Sequence, residues 1–351
     1  MVRIALLVGV ALTLGACSRL LYYVDMAEGH IDLMSARQPI DQLLADPATD
    51  PQLKQRLNQV LVARRWAVTQ LQLPDNGSYT AYADLGRNYV VWNVFATPEL
   101  SLEPREHCFL FAGCLAYQGF YAEEDAEEQA ADLGERGDDV YVGGVAAYST
   151  LGWFDDPVLN TMMQWSDAAL IGTVFHELAH QQLYVKNDTR FNESYASFVE
   201  QQGLSDFLRE HPQTRQADSS AWGRRTQFVR LILASRQRLE DLYTSPLTDA
   251  EKRQRKAGEF ARLQAEYTRL RDEAWGGDTS YDEWFSKAPL NNARLLPFGL
   301  YDEDVPAFAA LFEQSGRDWT RFHAAAKALA LLDEDERRAR LDSLIRRSRP
   351  E

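Results

Sequence analysis

The chain has 351 residues, 45% of them hydrophobic and 25% charged, enough apolar material for a sizeable core in one large domain, with or without a helical extension. That composition argues against wholesale disorder. The formal net charge of −15 argues against a nucleic-acid partner, because phosphate binding needs a basic patch, and the acidic excess reads as solubility.

The first residues, "MVRIALLVGVALTLGAC", place one Arg before an unbroken apolar and small run from Ile4 to Cys17. This is shorter than the roughly 20 residues a membrane span needs, and it has the layout of a secretory signal. Leu14-Gly15-Ala16-Cys17 resembles the bacterial lipobox, which implies cleavage after residue 16 and lipidation of Cys17. By likeness to Gram-negative lipoproteins, Ser18, where no Asp stands, implies sorting to the outer membrane, facing the periplasm. An ordinary signal peptide with a coincidental Cys is the alternative. Export leaves Cys108 and Cys114 of "CFLFAGC" in an oxidising compartment, which favours one short-loop disulfide over a metal site of two lone thiols.

From there to about residue 71 the chain reads as helices. Leu53, Leu57, Val60, Leu61, Ala63 and Ala67 fall near helical spacing, and Pro51 stands at a start. From about Ser78 to Tyr148, "YVVWNVFATPELSLEP" and "DDVYVGGVAAYST" predict strands, and "AEEDAEEQAADLGERG" between them predicts an acidic helix ending at a Gly. After Asp167 the helical pattern returns. One apolar stripe (Phe228, Leu231, Ile232, Leu239, Leu242, Tyr243) and another (Phe260, Leu263, Tyr267, Leu270) flank a break where Thr248 and Glu251 have capping-box spacing, so an antiparallel hairpin is expected. "APLNNARLLPFGLYDEDVPAF" interrupts the helices, with Asn291 and Asn292 suited to capping, and a last amphipathic helix follows. The organisation implied is a signal peptide over 1–16, a core over 17–210 and a helical extension over 211–351 packed on it, in an α+β, mostly helical class.

"TVFHELAH" concentrates the chemistry. At 100° per residue, His176 and His180 project from one helix face a turn apart, spaced to meet one Zn²⁺ at ~2.0–2.1 Å. Ile171, Val174, Phe175 and Leu178 can bury another side. Glu177 points beside the metal, where it can take a proton from an activated water. A zinc hydrolase needs a third protein ligand. Asn187-Asp188 can stop the first helix and "RFNESYASFVE" can begin a returning one, with Ala196 small enough for close approach. Glu193 and Glu200 share a face of that second helix, two turns or ~10 Å apart, so only one reaches the ion. Hairpin arithmetic favours Glu200, which lies more nearly level with the imidazoles.

"HELAHQ…FNESYASFVE" is similar to the active-site stretch of the alanyl-aminopeptidase family of zinc peptidases, with a shorter gap between the halves. The resemblance implies that Glu193 is the third ligand and that Glu200 matches that family's trailing Glu. More broadly, "VDMAEGHIDLMSARQPI", "CFLFAGCLAYQGFY", "DVYVGGVAAYSTLGWFDDPVL" and "NNARLLPFGLY" resemble the putative-aminopeptidase family of Gram-negative lipoproteins. That likeness implies a zincin-like (gluzincin) core with a small sheet and an active-site helix, one Zn²⁺ per chain, and a peptide substrate.

In zincins an edge strand before the metal helix pairs with the substrate backbone; "GGVAAYSTLGWF" is the candidate, with Gly143 and Gly144 permitting close approach. It lacks the Glu of the Gly-x-Met-Glu-Asn element with which alanyl aminopeptidases hold a free amine. Tyr148 and Tyr301 are candidates for stabilising the oxyanion. His30, His107, His211 and His323 lack ligand spacing and read as structural, and "WFDDP" reads as a turn with a capping Asp. Two alternatives stand beside an aminopeptidase: an envelope endopeptidase, or a non-catalytic lipoprotein that binds a partner through its helical half.

Overall fold

The computed structural model describes residues 22–109, 113–147, 149–150, 153–287 and 289–348. The signal segment, Cys17 and Tyr148 lie outside the described residues. Helix α1 (22–35) leads into a short strand β1 (Arg37–Pro39), then α2 (Ile40–Ala45) and the long α3 (Pro51–Gln70). The sequence predicts helices throughout this stretch. Pro39 has no amide hydrogen to give and sits instead on an edge strand. Asp50 starts α3 by accepting from the amides of Gln52 and Leu53, each at 2.9 Å.

Strand β2 (Ala81–Ala83) pairs antiparallel with β1 and parallel with β8 (Val158–Leu159). In the second sheet, β3 (Val91–Pro98) lies between β6 (Gln118–Phe120) and β7 (Asp138–Val145), antiparallel to both. Alternation along β3 covers both faces. Val94 and Ala96 meet Ala126 and Leu133 of the acidic helix α4 (Glu123–Glu135), while Phe95 meets Ala293, Leu296 and Leu300 of α10 (Asn292–Asp302). Gly137, at φ +89°, lets the chain turn out of α4 into β7. Strands β4 (His107–Phe109) and β5 (Gly113–Leu115) form a hairpin in which Cys108 lies opposite Cys114 and is bonded to it, so neither sulfur is available as a thiolate ligand.

The remaining chain is helical: α5 (Asp167–Gln182), α6 (Thr189–Glu210), α7 (Pro212–Thr244), α8 (Asp249–Arg269), α9 (Asp282–Ser286), α10, α11 (Val305–Gln314), α12 (Trp319–Ala330) and α13 (Glu334–Ser348). Helices α7 and α8 form a hairpin around Phe228, Ile232, Leu239, Phe260, Leu263 and Tyr267, and Thr248 with Glu251 closes a reciprocal capping box. The expected interruption near residues 288–308 is largely helical. Asn291 caps α10 by accepting from Arg294 N at 3.1 Å, and Pro306 occupies the first turn of α11, where a missing amide costs nothing. Beyond residue 210 the chain packs back on the core: Phe191, Tyr195 and Phe198 of α6 pack with Phe308, Phe312 and Phe322 in the cluster that also holds α3 and α5. Among the described residues no helix is long and apolar enough to cross a membrane.

His323 shows how tightly that core is closed. Its Nε2 lies 2.8 Å from the Leu71 carbonyl, which can only accept, so Nε2 carries the hydrogen and Nδ1 receives the Tyr195 hydroxyl at 2.8 Å. Burial pushes the imidazole down to about 4 against the help of the Leu71 bond. The unfolded chain therefore takes up a proton as pH falls through ~6.5 while the folded one resists until about 4. Stability from this site is fully present above ~6.5 and is lost between those values, to a limit of ~3 kcal/mol. Urea unfolding at about pH 7.5 and about pH 5 is expected to show H323Q losing roughly 2 kcal/mol less than wild type on acidification.

Candidate metal centre

Helix α5 is capped by Ser166, which accepts from Ala169 N at 3.2 Å, and its first-turn Asp167 is held by Arg56 and by Gln59 at 2.7 Å, both from α3. Leu170, Ile171, Val174, Phe175 and Leu178 bury its apolar side. Leu183 leaves the helix in extended conformation, and Asn187 reverses the chain at φ +67°. Asn192 then locks the turn, accepting from Val185 N and donating to Val185 O, each at 2.7 Å. Asp188 caps α6 through Phe191 N at 3.0 Å and pairs with buried Arg337 of α13 at 2.8 Å. The disulfide hairpin is tied to the same turn, because Cys114 N donates to Asn187 Oδ1 at 2.8 Å.

The two helices cross where their side chains are smallest. A Cβ on Gly203 would lie 2.6 Å from Leu71 Cδ1, and one on Gly172 would lie 3.2 Å from Glu200 Cγ. Ala196 is fully buried at the same crossing. Three side-chain atoms converge there: His176 Nε2 and His180 Nε2 are 3.2 Å apart, and each is 3.3 Å from Glu193 Oε2. Four donors at zinc-like bond lengths of ~2.0–2.1 Å in a tetrahedron stand ~3.3 Å from one another. The set therefore fits a small divalent ion.

Glu200 supplies the second half of that test. Its Oε2 is 3.1 Å from His176 Nδ1, so Nδ1 carries the hydrogen and Nε2 is the nitrogen that faces Glu193. Burial opposes a charged His176, but its bonds to Glu193 and Glu200 raise the imidazole well above its usual value, so a proton holds Nε2 to Glu193 until a metal ion takes the lone pair in its place. Burial works against a charged Glu193, but His180 and the hydrogen bonds from both imidazoles hold it down at about 2. Burial likewise opposes ionisation of Glu200 and is overcome by the bond to His176, leaving its carboxyl below the usual range. Hairpin arithmetic favoured Glu200 as ligand. The structure instead brings Glu193 to both Nε2 atoms and Glu200 to the far edge of one ring.

Around this cluster the other expected residues separate. Glu177 is half-buried and makes no hydrogen bond among the described residues; burial raises its carboxyl, the two imidazoles oppose that, and Glu193 and Glu200 add to it. Tyr301 stacks on His176 with centroids 5.8 Å apart, and burial, with the charge of Glu193 adding to it, raises its phenol. Tyr117 and Tyr184, which the sequence did not single out, lie in the field of Glu193, and burial raises both phenols. The second Asp of "WFDDP" is less peripheral than a turn residue. Asp156 is buried, accepts from Thr150 N at 3.0 Å and Gln181 Nε2 at 3.3 Å, and is pushed up to about 6 by burial, with Glu177 adding to the rise. Gln181 follows His180, so a short-range pattern around the HExxH motif could have flagged it. His30, His107, His211 and His323 lie outside the ligand group.

Strand β7 is a sheet edge among the described residues, but of "GGVAAYSTLGWF" only the first three residues are strand. A Cβ at Gly144 would lie 2.5 Å from Tyr89 Cγ, so that glycine makes room for the Tyr89 ring rather than for a substrate backbone. Asn291 also occupies the free edge, donating to the Val140 carbonyl at 2.8 Å.

A family model described as "Putative aminopeptidase" matches residues 21–341. No curated protein and no solved structure matches the chain.

Elemental analysis of the purified chain is expected to return one divalent ion per chain, and H180A or E193A is expected to abolish it. E200Q should keep the ion with affinity lowered ~10–100-fold in a chelator competition, because only the orientation of His176 is weakened.

Proposed function

The chain belongs to the putative aminopeptidase family, and from that premise we propose that it is a zinc-dependent peptidase with a zincin-like core, held at the cell envelope by a lipid on Cys17. Family membership supports the peptidase role. The donor set supports zinc: two imidazoles and one carboxylate, buried and convergent, match the ligands catalytic zinc takes. His176, His180 and Glu193 would hold the ion, with Glu200 orienting His176. When bound, zinc supplies Lewis acidity toward a scissile carbonyl and lowers the pKa of water. Glu177 takes the proton from the attacking water and returns it to the leaving nitrogen. Tyr301, stacked on His176, is the candidate donor to the oxyanion beside the metal, with Tyr148 the alternative.

The observation that carries this reading is the convergence of two imidazole nitrogens and one carboxylate oxygen at spacings that suit a small divalent ion, with Glu177 left unbonded among the described residues. Whether the enzyme trims N-termini or cuts internally turns on a second one. Glu193 and Glu200 are engaged by imidazoles, and Asp156 by Thr150 and Gln181. Each of these carboxylates keeps lone pairs beyond the bonds named, so a substrate ammonium can still be received, in keeping with the aminopeptidase that the family name suggests.

E177Q is expected to retain the ion and lose ~10²–10⁴-fold in kcat on a mixed peptide library. Comparable cleavage of free and N-acetylated peptides would establish internal cutting, and cleavage confined to free N-termini would establish the aminopeptidase. A rate unchanged by E177Q would sink the role of Glu177, and an ion-loaded wild type with no hydrolysis of any peptide would leave a non-catalytic lipoprotein that binds a partner.

A further inference from the structure

Six large apolar side chains are left exposed among the described residues, and four of them belong to α1 and one loop: Val24 at 48%, Ile31 at 60%, Trp153 at 75% and Phe154 at 52%. Val24 and Ile31 are seven residues apart, so they share a stripe of the helix. The loop lies against that helix. The Phe154 ring is 4.7 Å from the His30 ring, and Arg37, just beyond α1, donates to the Asp155 carbonyl at 3.0 Å. The aromatic pair is held outward by fixed neighbours, since Asp155 Oδ1 accepts from Gly77 N at 3.0 Å and buried Asp156 accepts from Thr150 and Gln181. Large aromatic side chains held in water on a firmly bonded loop mark an interaction surface.

Covalent reach identifies the partner. Residue 22, where the described chain begins, is five peptide steps from Cys17, a span of at most roughly 17 Å. A lipid on Cys17 therefore keeps the start of α1 within reach of the headgroups. We propose that the face formed by Val24, Ile31, Trp153 and Phe154 rests on the bilayer that receives the anchor, with Trp153 in the interfacial layer that favours indole rings. This rests on the lipid-anchor part of the proposed function and is independent of the metal chemistry. Exposed Asp25, Glu28 and Asp32 on the same helix oppose anionic headgroups, so the surface fits a zwitterionic lipid. Gln181, the loop's partner, follows His180, so contact at this face also fixes the metal centre relative to the membrane.

The test uses the full-length chain reconstituted in vesicles of phosphatidylcholine or of its brominated form, with the mass at Cys17 read first. Brominated lipid is expected to quench on the order of one tryptophan's share of the emission from eight, and W153F is expected to remove that loss. Quenching is expected to fall by about half or more when brominated phosphatidylglycerol replaces part of the phosphatidylcholine, as charge repulsion requires. An acylated chain that shows no quenching, or the same quenching in W153F, overturns the proposal; a dimer in sedimentation together with unquenched Trp153 assigns the face to a second copy. A Cys17 without acyl mass overturns the anchor and this orientation together, while zinc content and hydrolysis are read separately and stand.

Discussion

Two helices can deliver a pair of imidazoles and a carboxylate to one point only if their axes come close, and α5 and α6 do so by placing almost nothing where they touch. Gly172 leaves room for Glu200, Gly203 for Leu71 and Phe175, and Ala196 adds a single methyl group. Any larger side chain at the two glycines meets a neighbour at 3.2 Å or less. The atoms met there belong to the side chains of Glu200, Leu71 and Phe175, so a larger residue at Gly172 presses on the carboxylate that holds His176, and one at Gly203 presses on the packing behind α5. The orientation of His176 thus depends on an atom that is missing at Gly172.

Much of this was legible beforehand because it is local. Helical periodicity alone puts His176 and His180 on one face with Glu177 beside them, and the capping residues at Thr248 and Asn291 follow from short-range hydrogen bonding. What escaped the sequence depends on orientation or on distant partners. Height along a helix cannot say which edge of an imidazole a carboxylate meets, so hairpin arithmetic alone leaned to Glu200, while the resemblance pointed to Glu193, the carboxylate that lies with the two imidazoles. The side chain of Asn192 bonds backward to Val185, a contact visible only once the turn is built. Gly144 signalled a close approach correctly, but the approaching group is Tyr89 rather than a substrate.

The helical half is a wall of the site rather than an appendage. Tyr301 brings α10 onto His176 and Glu193, and Arg190 of α6 pairs with buried Asp304, which also receives Arg338 of α13 at 2.6 Å. Phe308, Phe312 and Phe322 fill the space behind α6. Long-range packing of this kind carries no periodic signature, so which side chains make it is not readable from the sequence.

The pairing of Asp188 with Arg337 spans 149 residues of chain. Asp188 begins the helix that carries Glu193, and breaking a buried ion pair leaves an uncompensated charge at the cost of ~3–5 kcal/mol. During synthesis, all three donors emerge long before the cation that steadies their scaffold. A chain interrupted between the two holds every group needed to grip an ion yet lacks the brace that aligns them, so competence arrives late, and damage anywhere along the intervening helices withdraws it.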